Sequence, residues 1–282
     1  MRIGFIGAGK VGFSLGKYFA ENGTELSGYY SRSITSANEA ADFTASRAYS
    51  SAVELVRDSD AVFITVPDGA ITTVFEGIKQ EDISGKHICH CSGAMTASEA
   101  FPNAGLMGAF IYSIHPLFPV SSRFEAYREL GSAFFCIEGS SEHISDWEDF
   151  FRRLGNPVRI ISGSTKSKYH AACAISSNLV CALAAESVSM LKECGFTEEE
   201  ALSALRPLAL SNIKRVFEVG PASALTGPIE RCDVSTVQKH LKCFDSEAGR
   251  DMYRSVSLRL LDTARKKHPE TDYSEMESIL SE

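Results

Sequence analysis

Short apolar runs and helical stretches alternate through the first half of the chain. Residues 2–6 (RIGFI) and 26–30 (LSGYY) predict strands, with helical patterns over 10–22 and 35–45. Residues 61–66 (AVFITV) are apolar without alternation, which predicts a strand covered on both faces. Further strands are expected at 86–91, 109–114, 133–138 and 158–162, with helices at 69–79 and 142–154. Strands that alternate with helices predict a mainly parallel sheet flanked by helices on both sides.

From Thr165 the pattern changes, and no strand is expected beyond it. Residues 165–194 give one long helical pattern, apolar almost all round in its middle, which predicts a central buried helix. Gly195 stops it, and Thr197 with Glu200 forms a capping box for a helix running to about Val219. A loop, GPASALTGPIERC, follows, with Asp233 as the expected cap of the next helix. Helices then fill 234–267 and 273–281.

Composition narrows the class. The 282 residues are 44% hydrophobic and 23% charged, the balance of a soluble globular protein. One large domain or two ordinary ones suit that length. Twenty-eight basic against 36 acidic residues leave a net charge of −8. That field repels nucleic acid and anionic membranes, so neither is expected as a partner. The eight cysteines are spread out and mostly apolar in context, as in AFFCI at 133–137, which predicts buried free thiols in a reducing compartment.

In His87-Ile88-Cys89-His90-Cys91 the side chains alternate faces of a strand, and no second Cys or His pair follows at zinc spacing. The segment reads as core, and no metal is expected. The N-terminus enters a strand directly, without a signal-peptide core. The apolar stretch from Ala171 to Ala185 is interrupted by Ser176-Ser177-Asn178 and reads as too short to span a bilayer. A cytoplasmic protein is expected.

The chemistry begins at Gly7-Ala8-Gly9-Lys10-Val11-Gly12, a G-x-G-x-x-G between a strand and a helix. In a βαβ setting this pattern marks a dinucleotide site. Gly7 allows the tight turn, Gly9 lets backbone approach a pyrophosphate, and Gly12 lets helix pack on strand. Lys10 and Val11 open the helix, whose free N–H groups favour phosphate. An NAD site usually carries an acid at the end of the second strand; here Ser31-Arg32-Ser33 stands instead. A guanidinium between hydroxyls suits a 2′-phosphate, so NADP(H) is expected over NAD(H). Val66-Pro67-Asp68, at the end of the 61–66 strand, is expected to pass the nicotinamide ribose by its backbone.

Two more strand ends carry polar groups, Ser92-Gly93 and His115-Pro116. Histidine suits proton transfer to or from a carbinol near neutral pH, with a serine to orient the oxygen. For His115 the alternative is a hydrogen bond within the turn before Pro116. On the long helix, His170, Cys173 and Ser177 share one stripe, with Asn178 beside it. They either line a substrate pocket or satisfy one another. Thr226 and Arg231 sit in the long loop of the helical half. Arg231 either anchors a substrate anion or pairs with Asp233.

Six segments together resemble a known family: the fingerprint at 7–12, VPD at 66–68, CSGAMT at 91–96, IHPLFP at 114–119, KYHAACAISSNLVCAL at 168–183 and LTGPIERCD at 225–233. They resemble the Rossmann-like proteins with a DUF2520 C-terminal domain, regarded as NADP-dependent oxidoreductases. The likeness covers essentially the whole chain, and the last three segments are the specific ones. More broadly the layout is similar to the 6-phosphogluconate-dehydrogenase-like group, with pyrroline-5-carboxylate reductase, ketopantoate reductase and prephenate dehydrogenase. In prephenate dehydrogenases a Ser after a mid-sheet strand and a His in an HP dipeptide bind and deprotonate the substrate hydroxyl. Ser92 and His115-Pro116 match in order and approximate spacing, so the resemblance implies those roles. The β-hydroxyacid enzymes of this group use Lys and Asn four apart on the central helix. Lys168 and Asn178 do not have that spacing, so that mechanism is not implied. Cys232 stands where the DUF2520 loop carries Gly, which puts that loop's backbone in question.

The expectation is therefore an α/β Rossmann-type domain over 1–163, with a mainly parallel sheet, followed by an all-α domain over 164–282. The cofactor residues are Gly7, Gly9, Lys10, Val11, Gly12, Ser31, Arg32, Ser33, Val66, Pro67 and Asp68. The catalytic candidates are Ser92, His115, His170 and Asn178, with Thr226 and Arg231 toward substrate. The expected activity is NADP(H)-linked hydride transfer on a small carbonyl, imine or hydroxy-acid between the domains, in a homodimer formed through the helical half. The alternatives are a non-catalytic NADP(H) sensor and a prephenate-dehydrogenase-like enzyme acting on a cyclic hydroxy-acid.

Overall fold

The computed structural model describes residues 1–282. Eight strands form one sheet: β1 (Ile3–Ile6), β2 (Leu26–Tyr30), β3 (Arg47–Ala48), β4 (Ala61–Ile64), β5 (His87–His90), β6 (Phe110–Leu117), β7 (Phe134–Gly139) and β8 (Val158–Ile160). Their spatial order is β3-β2-β1-β4-β5-β6-β7-β8. The first six follow the doubly wound order of dinucleotide-binding sheets, and all their ladders are parallel. β7 runs antiparallel to β6, and β8 parallel to β7. The expected α/β class holds. The two-residue β3 is an addition, and β6 continues past the expected end at 114.

Two apolar layers sandwich the sheet. Phe5, Phe63 and Cys89 join Phe13, Phe19, Trp147 and Phe151 on one face. Val62, Ile64 and Ile88 join Leu55, Ile71, Phe75 and Phe101 on the other. Successive side chains of β4 thus go to opposite cores, which is why that segment reads as an unbroken apolar run. His87 accepts from the Trp147 indole through Nδ1 at 3.0 Å, and His90 is fully buried against Phe101.

The chain divides into two compact units, Met1–Ser177 and Asn178–Glu282. This division lies beyond the one expected at 163, because Lys166 at the start of helix Lys166–Ser176 is buried in the first unit. The second unit is helical, with a core of Ile229, Val237, Leu261, Tyr273, Met276 and Leu280. Thr197 and Glu200 form the expected capping box, and Asp233 caps helix Val234–Lys242. Cys232 adopts φ 55, the left-handed backbone that a glycine supplies without strain.

The single buried helix expected over 165–194 is corrected. Two helices, Lys166–Ser176 and Asn178–Glu193, meet at Ser177 with φ −127 and ψ −74. The Ser176 hydroxyl donates back to Ala172 O at 3.2 Å and Ser177 to Cys173 O at 2.7 Å, side-chain bonds that compete with the helical ladder. No residue of Asn178–Glu193 is buried. Gly163–Glu193 reaches membrane-spanning length and hydropathy by composition alone, but it is divided between two helices at Ser177.

Local packing holds the fingerprint turn. Gly7 has φ 112, open to glycine and strained for other residues. Thr65 Oγ1 donates to the Gly7 carbonyl at 2.9 Å, and a Cβ on Gly12 would strike both that carbonyl and Thr65 Oγ1. Gly12→Ala is expected to lower unfolding free energy by about 1–3 kcal/mol, the range for overpacking. Urea denaturation measures it, and an unchanged midpoint would show that helix and strand are not in close contact there.

Candidate active site

Helix Lys10–Glu21 starts at Gly9, with no side-chain cap and no acid in its first turn. Its leading N–H groups are left for a ligand. The Cβ position of Gly9 has only the Thr65 carbonyl oxygen nearby, at 4.0 Å, so backbone is open to close approach. A groove of about 310 Å³ runs along this turn, lined among others by Gly7, Gly9, Tyr30, Ser31, Arg32, Thr65, Val66 and Pro67. These residues fit a dinucleotide: free amides for a pyrophosphate, and Arg32 at the edge for a further phosphate. Lys10 is exposed and Val11 half-buried at the helix start. Ser33 instead caps helix Ile34–Thr44 through Ser36 N.

Asp68 follows Pro67 of the groove wall and opens helix Asp68–Ile78. Its Oδ2 accepts from Ser92 Oγ at 2.6 Å. Ser92 Oγ also accepts from Met95 N at 3.1 Å and Ala94 N at 3.3 Å. One donor and two acceptor positions are all a hydroxyl has, so Ser92 is fully used within the protein. It shapes its own turn and ties it to the start of helix Asp68–Ile78.

β6 outruns β5. Parallel pairing stops at His90 with Ser113, while antiparallel pairing with β7 continues to Leu117. His115 therefore stands on a strand held from one side, next to the Ser92–Gly93 turn. Its Nδ1 lies 2.6 Å from the Tyr169 hydroxyl. A Cβ built on Gly93 would lie 2.9 Å from His115 Nε2 and would collide with His170 Cδ2. The two imidazoles sit with centroids 6.2 Å apart, nearly perpendicular. Glycine at 93 is what lets them meet there.

Burial, reinforced by the charge of Lys166, brings the His115 pKa down from 6.5 to about 4. His90, whose Nδ1 accepts from Ser92 N at 3.1 Å, falls to about 3 for the same two reasons. Burial pushes Cys91 up to about 12 and holds Tyr169 protonated. At pH 7 His90 and His115 are thus neutral rings, beside a thiol and a hydroxyl that keep their protons.

The structure gathers Asp68, Ser92, His115 and His170 from the expected residues. Asn178, Thr226 and Arg231 belong to the second unit. Thr226 lines a mainly apolar cavity of about 340 Å³ there, with Leu183, Met190, His240, Phe244 and Tyr253. Arg231 is exposed. Sequence reasoning missed Tyr169, Ser113 and Lys166. The helical spacing of Lys166, Tyr169, His170 and Cys173 was the available signal, since it extends the stripe already seen in the last two.

Sheet order, fingerprint turn and polar strand ends define a Rossmann-type protein with a helical second unit. Residues 2–92 match the family model described as NADP oxidoreductase coenzyme F420-dependent, and residues 133–260 match the domain of unknown function DUF2520. Both matches agree with the family resemblance carried by the motifs, each over less than half of the chain. Protein TM1727 of Thermotoga maritima is 25% identical with TM-score 0.73, covering 94% of this chain and 99% of that one. A candidate NADP oxidoreductase of Bacteroides fragilis is 22% identical with TM-score 0.71, covering 93% and 98%. An imine reductase from Myxococcus stipitatus in complex with NADP+ shares the fold at 16% identity and TM-score 0.62, over 100% of both chains. No curated protein matches the chain.

The buried imidazoles set a pH dependence. Both folded-state pKa values lie below 6.5, so between about pH 6.5 and 4 the unfolded chain binds protons that the folded chain refuses. Stability should fall with pH in that window, by up to about 1.4 kcal/mol per pH unit for each imidazole. Urea midpoints at pH 7, 6 and 5 measure this, and equal midpoints would contradict the neutral-ring assignment.

Proposed function

We propose that the protein is an NADP(H)-dependent oxidoreductase acting on a small carbonyl, imine or hydroxy-acid at the carboxyl edge of its parallel sheet. What carries this is an unbroken path of contacts. Pro67 lines the dinucleotide groove, its neighbour Asp68 holds Ser92, and Gly93 abuts His115 and His170. A nicotinamide docked along that groove would exchange hydride beside the two rings. Arg32 would hold the 2′-phosphate by charge-assisted hydrogen bonds. The matched NADP oxidoreductase model over residues 2–92 and the NADP+ complex of the Myxococcus stipitatus enzyme support the cofactor assignment.

His115 works as a neutral group. In this reading the Tyr169 hydroxyl, 2.6 Å from Nδ1, is the donor, and the ring hydrogen sits on Nε2, toward Gly93 and His170. Nε2–H would polarise a substrate oxygen or nitrogen as hydride arrives. An imidazole with pKa about 4 is almost wholly in its neutral form at pH 7, so in this reading His115 acts through its N–H and not as an imidazolium. Ser92 orients the turn rather than the substrate, since its hydroxyl is fully engaged.

The helical unit supports self-association. Leu179 and Leu183 on one helix, and Leu202, Leu208, Ile213 and Phe217 on the next, are all exposed. A second copy would cover them, and light scattering at micromolar concentration should give the dimer mass; a monomer mass would remove this part of the reading.

NADPH should bind more tightly than NADH, and Arg32→Ala should weaken NADPH by about 10-fold or more while leaving NADH nearly unchanged. Fluorescence titration of both nucleotides reads this. On a panel of carbonyls and imines, His115→Ala should lower kcat by about 100-fold. Nucleotide binding without turnover, unaffected by His115→Ala, would instead identify a sensor module.

A further inference from the structure

One buried cation takes no part in the chemistry above. Lys166 is 1% exposed, whereas Lys168, two residues on, is in solvent. Its Nζ donates to Ser113 Oγ at 2.6 Å and to the Ser92 carbonyl oxygen at 3.0 Å. Ser113 Oγ donates to the same carbonyl at 3.1 Å. Taking an ammonium out of water costs several kcal/mol unless polar groups replace its hydration. A neutral apolar side chain would avoid that cost, so the charge at this place asks for a use.

We propose that Lys166 is a positioning residue for His115: its buried ammonium grips the end of β5 by the Ser92 carbonyl and the flank of β6 by Ser113, and so holds the Ser92–Gly93 turn against the imidazole. The ammonium does not reach substrate, because its contacts are with the protein and it is shut from solvent. The role deepens the oxidoreductase reading and rests on it for what the imidazole does, though not for the geometry.

The charge also acts on the ring. Lys166 and His170 disfavour a proton on His115, and Asp68 opposes them; burial is the largest cause. His90 on β5 feels the same ammonium. Lys166 in turn faces Glu138, Cys136, Cys91 and Asp68, which favour its charge against burial. Glu138 is anchored by Ala97 N, which donates to Oε2 at 2.9 Å. One fixed cation thus holds the Ser92–Gly93 turn and adds to burial in keeping His115 neutral.

The test is an NMR titration of the histidine rings in isotope-labelled full-length protein, with His115 assigned through His115→Gln. It needs neither substrate nor cofactor. The wild-type His115 midpoint should fall below about pH 5, and Lys166→Met should raise it by about one pH unit or more, the size expected when a nearby like charge is removed. The Gly93 amide resonance should move in the same variant. Lys166→Arg keeps the charge and should hold the midpoint near the wild-type value. A folded Lys166→Met protein with an unchanged midpoint overturns the assignment. If that variant does not fold, Lys166→Gln is read in the same way, and a wild-type midpoint near 6.5 overturns it alone. Absence of turnover on every substrate, with the midpoint shift intact, would reject the oxidoreductase reading and leave the positioning role standing.

Discussion

Parallel hydrogen bonding is the constraint on which the rest depends. Five ladders join β3 through β6, and each requires its two strands to end on the same edge. Groups distant in sequence, at residues 7, 65, 92 and 115, are therefore delivered to one rim. The first helix adds the unpaired amides of its N-terminus to that rim. The rim then changes character where β7 reverses direction. β6 needs only β7 to stay extended beyond Ser113, so it can carry His115 past the point where β5 has stopped. Pro116, which lacks an N–H, is tolerated there because no ladder with β5 needs it.

The parts of the protein written locally were legible in the sequence. The fingerprint turn is legible because its glycines answer local steric demands, as Gly7 and Gly12 show. β4 is legible because burial on two faces leaves no polar position. Thr197 and Glu200 are legible because a capping box is closed within four residues. The shortness of β3 and the extension of β6 are not, since neighbouring strands decide them.

Lys166 was the largest omission, and the reason is physical. In the run Ser164-Thr165-Lys166-Ser167-Lys168 composition does not separate the buried lysine from the exposed one, and only the helical register with Tyr169, His170 and Cys173 does. Their fates differ because the first points at Ser92 and Ser113, whose positions are fixed by strands far away in sequence. The break at Ser177 was hidden for a related reason. A serine hydroxyl that bonds back to a carbonyl leaves the apolar periodicity of the helix unaltered. The apolar girth of residues 179–185 was correctly seen, but burial inside its own unit did not follow.

Gly93 shows how tightly the rim is specified. Its missing side chain is the space in which His115 and His170 approach each other. Any larger residue would drive a wedge between two rings that come from different elements of the chain. Substitutions at these three positions are therefore not independent. A lineage that loses a ring can enlarge residue 93 afterwards, whereas one that enlarges residue 93 first must distort both rings at once. The order of mutations is constrained, and the path back to two facing imidazoles closes once the gap has been filled.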